Sequence, residues 1–350
     1  MVSSAAVLDA TKNFLCGQVV SVFSLMALVM ARRLVYREVY TPILLNMFFY
    51  LFLAMVCILC SWCLPPSDNA RRARVRWWFY PFLALVDLQA NVCAVSSLRY
   101  VTFATTGLVL NLAVPFVFTL SVCVYRAPYR WRHIVGCILT LAGGVIVLIG
   151  CIHRRNTHSI GSENEVYGWI LALLAAALYA CSNVINQWCF KISGVDSIID
   201  CLGKVGLWAS LFCLIQVLIA ERVEVTTVIW DEQVLVLFLG YVLCMFAFYT
   251  AVFVLVRATE SPMYNLSLLL SGIYLMLMAQ HALDETLDKY TWAAMLVMLV
   301  GLAVYSWSRS PAGGPSNTTE LGPALPQISF KSMRTPRDEI PISKVQLSEV

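Results

Sequence analysis

The chain has 350 residues, of which 60% are apolar and 13% charged, against about 45 to 50% and about 25% in ordinary soluble domains. That composition excludes a water-soluble globule of this size. The net charge of +4 is too small, and too divided among loops, to argue for a nucleic-acid partner.

Ten apolar stretches follow one another, at 14–31, 42–63, 79–98, 103–125, 133–152, 168–190, 202–220, 233–256, 263–281 and 291–307. Each is close to the roughly 20 residues that a helix needs to cross a bilayer core. Single runs this long satisfy their backbone groups in lipid only as helices, and a barrel would alternate polar with apolar residues. The first span is followed by Arg32 and Arg33 without a small-residue cleavage site, so it is expected to be a retained helix rather than a signal peptide. The second ends in Cys57, Cys60 and Cys63. These thiols resemble an iron-sulfur run superficially, but no fourth ligand follows, and small buried packing thiols are the expected reading.

Span three contains Asp87, Gln89 and Asn91, and the four-residue spacing of Asp87 and Asn91 puts both on one helical face. Asp87 is the single carboxylate expected well inside the membrane. Span four supplies Thr105, Thr106 and Asn111 one turn before Pro115. Span six carries Tyr179, Ser182, Asn183, Asn186 and Gln187 at offsets of 0, 3, 4, 7 and 8, a continuous polar stripe. Lys204 opens span seven, where it either snorkels to the interface or meets a substrate anion, and Trp208 follows one turn on. Tyr249 lies in span eight. Span nine offers Tyr264, Asn265, Ser267, Ser271 and Tyr274, with Gly272 as a point where the backbone is able to loosen.

Trp77, Trp78, Trp131, Trp230, Trp292 and Trp307 stand at span ends, where an amphipathic ring straddles the interface. Counting Lys and Arg on alternate sides gives 16 on the side of both termini and 8 on the other, which accounts for all 24. The positive-inside rule therefore predicts cytoplasmic termini. Residues 310–350 turn rich in Pro, Gly, Ser and Thr and are expected to be a disordered cytoplasmic tail, on which the Asn317-Thr318-Thr319 acceptor pattern stays unmodified.

Five spans fall on each side of the polar segment 153–167. An odd number per half makes the halves enter the membrane in opposite directions. The expected organisation is a first five-helix repeat over 1–152, a connecting loop over 153–167, a second repeat over 168–309 and the tail over 310–350. An offset of 157 residues superposes Thr102 on Thr259, Ala104 on Ser261 and Pro115 on Gly272. Paired Pro and Gly interruptions in spans four and nine are where inverted-repeat carriers loosen the backbone beside a substrate.

No enzymatic constellation emerges. The four His are scattered, none with metal-pair spacing, and there is neither HExxH nor a Walker loop. No cofactor or metal is expected, and an ATP-driven pump is disfavoured. What remains is polar chemistry inside lipid-embedded helices. Such residues are costly and usually face a bundle interior or cavity, although Ser and Asn also serve as interhelical glue. The residues selected as solute contacts are Asp87, Asn91, Asn111, Tyr179, Asn183, Asn186, Gln187, Tyr249, Asn265 and Ser271.

The segments DLQANVCAVSSLRYVTFATTGLVLNLAVPFVF (87–118), ALYACSNVINQWCFK (177–191) and CMFAFYTAVFVLVRATESPMYNLSLLL (244–270) resemble the F branch of solute carrier family 35, in the drug/metabolite transporter superfamily that includes nucleotide-sugar carriers. The resemblance spans 14–308. It implies an all-α polytopic membrane protein with ten transmembrane helices in two inverted five-helix repeats, a central cavity and alternating access. The pattern of that branch has acids at the positions of Gln89, Leu110, Asn186, Gln187 and Gly272, so proton coupling through several carboxylates is not expected here.

The expected function is secondary transport of a small polar organic solute, nucleoside- or nucleobase-like, because amides offer donors and acceptors while Tyr and Trp offer stacking faces. A nucleotide-sugar carrier and a non-transporting receptor or scaffold stand as alternatives. The partners implied are the solute and the bilayer, in a Golgi, endosomal or plasma membrane.

Overall fold

The computed structural model describes residues 4–63, 77–125, 131–157, 163–192, 198–258 and 261–306. The residues expected to form the tail lie outside the described residues. Among the described residues there are twelve helices: α1 (Ser4–Tyr36), α2 (Pro42–Cys63), α3 (Phe79–Ser97), α4 (Phe103–Leu110), α5 (Ala113–Tyr125), α6 (Trp131–Thr157), α7 (Glu163–Ile192), α8 (Ile198–Ala220), α9 (Arg222–Thr227), α10 (Glu232–Ala258), α11 (Ser261–Ala282) and α12 (Lys289–Ser306). Every apolar stretch expected from the sequence falls on helix. Among the described residues, eight helical segments are long and apolar enough to cross a membrane, and Lys289–Tyr305 is a shorter apolar helix.

The fourth stretch is broken into α4 and α5, and Pro115 explains the break. Proline has no N–H, so the Asn111 carbonyl four residues earlier loses its regular donor. The chain tightens instead. The N–H groups of Asn111 and Leu112 bond three residues back to Leu108 and Val109, and the Val114 N–H reaches the Asn111 carbonyl at 3.1 Å. The matching interruption expected at Gly272 does not occur, since α11 runs unbroken from Ser261 to Ala282. Glycine keeps its N–H and leaves the hydrogen-bond ladder intact.

The helices pack as α1 on α10 and α11, α3 on α7 and α8, α2 on α8 and α10, and α6 on α12. Lipid tails are as apolar as leucine, so helix association in a bilayer depends on close fit, and small residues permit it. A methyl group added at Gly136 would lie 2.7 Å from the Gly301 carbonyl oxygen, and one at Gly301 would lie 2.9 Å from the Gly136 oxygen. Gly206 brings α8 equally near the backbone of α2 at Tyr50 and Ala54. Large side chains such as Phe49, Leu53, Leu88 and Met276 fill the centre, while Ile138, Leu218, Leu239 and Val300 point outward.

The ends of α1, α3, α8 and α11 meet on one face, here the distal face. Glu285, in the α11–α12 connection, accepts hydrogen bonds from the N–H groups of Phe103 (2.9 Å) and Ala104 (3.3 Å) and from Arg32 Nε at 3.1 Å. Glu221, just beyond α8, accepts from the N–H groups of Ile43 (2.7 Å) and Leu44 (2.8 Å). Asp284, at φ 52°, adopts the left-handed conformation that Asp tolerates better than most residues, and so turns Glu285 back into the bundle.

Candidate solute-binding site

Asp87 is the ninth of the nineteen residues of α3, about 12 Å from the start of the helix and about 15 Å from its end. Only 8% of it is accessible. Such a group is costly at that depth unless it is hydrogen-bonded, and here both oxygens are engaged. Oδ1 accepts from the Ser182 hydroxyl of α7 at 2.9 Å, and Oδ2 accepts from the phenols of Tyr50 in α2 (2.8 Å) and Tyr249 in α10 (2.7 Å).

Asn91 closes the network one turn along the same face of α3. Its amide nitrogen donates to the Tyr50 hydroxyl at 2.7 Å, to the Tyr249 hydroxyl at 2.9 Å and to the Asp87 carbonyl at 3.0 Å. Its amide oxygen accepts from Tyr179 of α7 at 2.7 Å. Tyr50 and Tyr249 therefore each donate to the acid and accept from the amide. Phe49 packs between their rings, with centroids 4.6 Å from Tyr50 and 4.9 Å from Tyr249. Four helices, α2, α3, α7 and α10, converge on one polar knot. Among the described residues no Lys or Arg bonds to it, and no group of three His, Cys, Asp or Glu is placed to hold a metal.

Of the ten residues selected from sequence, the structure brings Asp87, Asn91, Tyr179 and Tyr249 into this knot. Asn186 adjoins it through Ser182, with its Nδ2 at 3.4 Å from the hydroxyl. Asn183 is exposed. It stands nine residues, or two and a half turns, from Leu174, which places it on the opposite side of α7 from the outward-facing Ile170 and Leu174. Its exposure is therefore toward the bundle interior rather than toward lipid. Asn111 is half-buried at the α4–α5 break and Ser271 is half-buried in α11. The side chains of Gln187 and Asn265 lie outside the described residues.

Two members of the knot escaped selection. Ser182 belongs to the polar stripe but carries only a common packing hydroxyl. Tyr50 follows Phe49 in an otherwise apolar helix, and nothing in its spacing sets it apart from packing aromatics. Lys204 lies at the surface, 3.6 Å from Asp200 and over the Tyr80 ring at 5.2 Å, an interfacial placement away from Asp87. Of the three thiols ending α2, Cys57 is buried while Cys60 and Cys63 are exposed.

Residues 8–307 match the family model described as solute carrier family 35. The chain is 29% identical over 300 residues to solute carrier family 35 member F2 of Mus musculus, covering 85% of this chain and 79% of that protein. It is 27% identical over 289 residues to the Xenopus tropicalis protein of the same name, with 77% and 73% covered. A protein of known crystal structure shares the fold, with a TM-score of 0.54 at 18% identity, over 84% of this chain and 97% of the other.

Proposed function

The chain belongs to the F branch of solute carrier family 35, a family of membrane solute transporters rather than enzymes, and we propose that it is a secondary carrier of a small polar, nucleoside- or nucleobase-like solute. The observation that carries this reading is the Asp87 knot. A mid-span carboxylate, an amide and three phenols from four helices are joined next to an interior-facing, exposed Asn183. Amide and hydroxyl groups match the donors and acceptors of a base edge, and the phenol rings offer flat faces. With no Lys or Arg on the knot among the described residues, a neutral or weakly cationic ring suits it better than a diphosphate.

The packing pattern supports a division into inverted halves, 1–152 and 168–309. On that division α1 corresponds to α7, α2 to α8, α3 to α10, α4 with α5 to α11, and α6 to α12. Exchanging the halves converts the α1–α10 pair into α7–α3, α2–α10 into α8–α3, and α1–α11 into α7 with α4 and α5, and all of these pairs are packed. The α2–α8 and α6–α12 pairs map onto themselves. Rocking of one half against the other about these two seams would give alternating access. The excess of Lys and Arg on the opposite side makes the distal face the non-cytoplasmic one.

Purified protein in sealed vesicles should accumulate tritiated uridine or adenine without ATP. Asp87→Asn and Asn183→Ala should each lower the rate while leaving the thermal transition in place. Unchanged uptake in both variants overturns the site, and a solute that binds saturably but never enters the vesicle overturns transport.

A further inference from the structure

The distal face holds two carboxylates that the solute site does not use. Glu285 and Glu221 are 8% and 5% exposed, and each caps the first turn of a helix far away in sequence. Glu285 serves α4 across 182 residues, and Glu221 serves α2 across 178. A helix N-terminus presents unpaired N–H groups and the positive end of the helix dipole, so a carboxylate fits there without a cation. Ordinary helix caps come from the residue just before the helix. Thr102 already fills that role for α4, its hydroxyl accepting from the Thr105 N–H at 3.2 Å.

Glu285 does more than cap. Arg32 of α1 pairs with it at 3.1 Å while also donating through Nη1 to the Leu98 carbonyl at the end of α3, and the Tyr36 hydroxyl lies 3.4 Å away. One carboxylate thus ties together α1, α3 and α4. All three belong to residues 1–152, whereas both Glu285 and Glu221 come from the second half.

We propose that Glu285 and Glu221 are latches that hold the distal mouth of the carrier shut, each a second-half carboxylate seated in the N-terminus of a first-half helix. The proposal rests on the carrier reading, since a carrier alone has to open there. It assigns a position-holding role to Arg32, which fixes the Glu285 carboxylate against α4. When the distal mouth opens, both carboxylates leave their helices and the interior face of α7 closes on the other side.

The test uses the full-length protein in sealed vesicles and needs no knowledge of the solute. Ser97, fully buried at the end of α3 and 3.1 Å from the Thr106 hydroxyl, reports the distal mouth as Ser97→Cys. Asn183→Cys reports the opposite entrance. A charged, membrane-impermeant methanethiosulfonate is applied, and labelling at each position is read by peptide mass spectrometry, so the native thiols do not interfere. Glu285→Gln and Arg32→Gln should each speed labelling at position 97 about tenfold or more and slow it at position 183, since a charge-assisted bond is lost in each. Arg32→Lys, which keeps the charge, should restore most of the protection.

Unchanged labelling at position 97 in the Glu285→Gln, Glu221→Ala and double variants overturns the latches. Faster labelling at position 97 with no change at position 183 keeps the latches and overturns alternating access. A variant that fails to fold is recognised by loss of its monodisperse peak, and Arg32→Gln, which leaves both caps in place, then carries the test.

Discussion

The phenol of Tyr249 in α10 donates to the Asp87 carboxylate of α3 at 2.7 Å, across 162 residues of sequence. Tyr50 reaches the same oxygen from α2. Because Asn91 also donates to both phenols, removing one hydroxyl leaves the acid and the amide each one partner short. Tyr249→Phe should therefore cost about 1 to 3 kcal/mol of stability and lower uptake. The double variant Tyr50→Phe/Tyr249→Phe should cost less than the sum of the single changes, a coupling that a double-mutant cycle of thermal unfolding measures. Additive costs would mean that the two phenols act independently.

Ser182 and Asn183 are neighbours in sequence with opposite expectations. Ser182 is 1% exposed and bonded to Asp87, so Ser182→Ala should destabilise the fold by about 1 kcal/mol. Asn183 is exposed toward the interior, so Asn183→Ala should leave stability within about 0.5 kcal/mol and still reduce solute uptake. Thermal shift and uptake measured on the same preparations separate the two effects.

The α6–α12 seam leaves no room for a side chain at Gly136, where an added methyl group meets the backbone oxygen of Gly301 at 2.7 Å. Backbone does not swing aside as a side-chain tip does. Gly136→Ala should cost about 1 to 3 kcal/mol, seen as a lower unfolding temperature. Gly272→Ala is the control, since the nearest atom to its methyl group is the Leu299 Cγ at 4.0 Å, and it should be tolerated.

Burial pushes the Glu221 carboxyl from its ordinary 4.5 up to about 7, although the Ile43 and Leu44 N–H groups pull the other way. Glu224 beside it adds to the rise, the Cys213 thiol lies near it in α8, and Arg99 and Tyr40 line the same distal cavity of about 310 Å³. A group with a raised pKa in the closed state binds its proton more tightly there than when released into water. Its contribution to closure is therefore fully present below 4.5 and is lost as the pH rises through about 7. Labelling of Ser97→Cys should be faster near about pH 8 than near about pH 6. Glu221→Gln should flatten that dependence, and a dependence of the opposite sign would refute the assignment.

The sequence by itself located the apolar helices. Residue hydropathy and length decide whether a segment is able to cross a bilayer, so all ten stretches fall on helices. It also determined that Pro115 would interrupt its helix, because a missing N–H is a covalent fact. Helical periodicity put Asp87 with Asn91 and Tyr179 with Ser182 on shared faces. Only the tertiary structure decided which faces meet. Tyr50 became a ligand of Asp87 because α2, α3 and α10 converge, and Glu221 and Glu285, which in sequence are unremarkable loop acids, became caps of helices about 180 residues away. The period of a helix fixes which side chains share a face, but the partner of that face depends on how helices separated by the whole chain pack against one another.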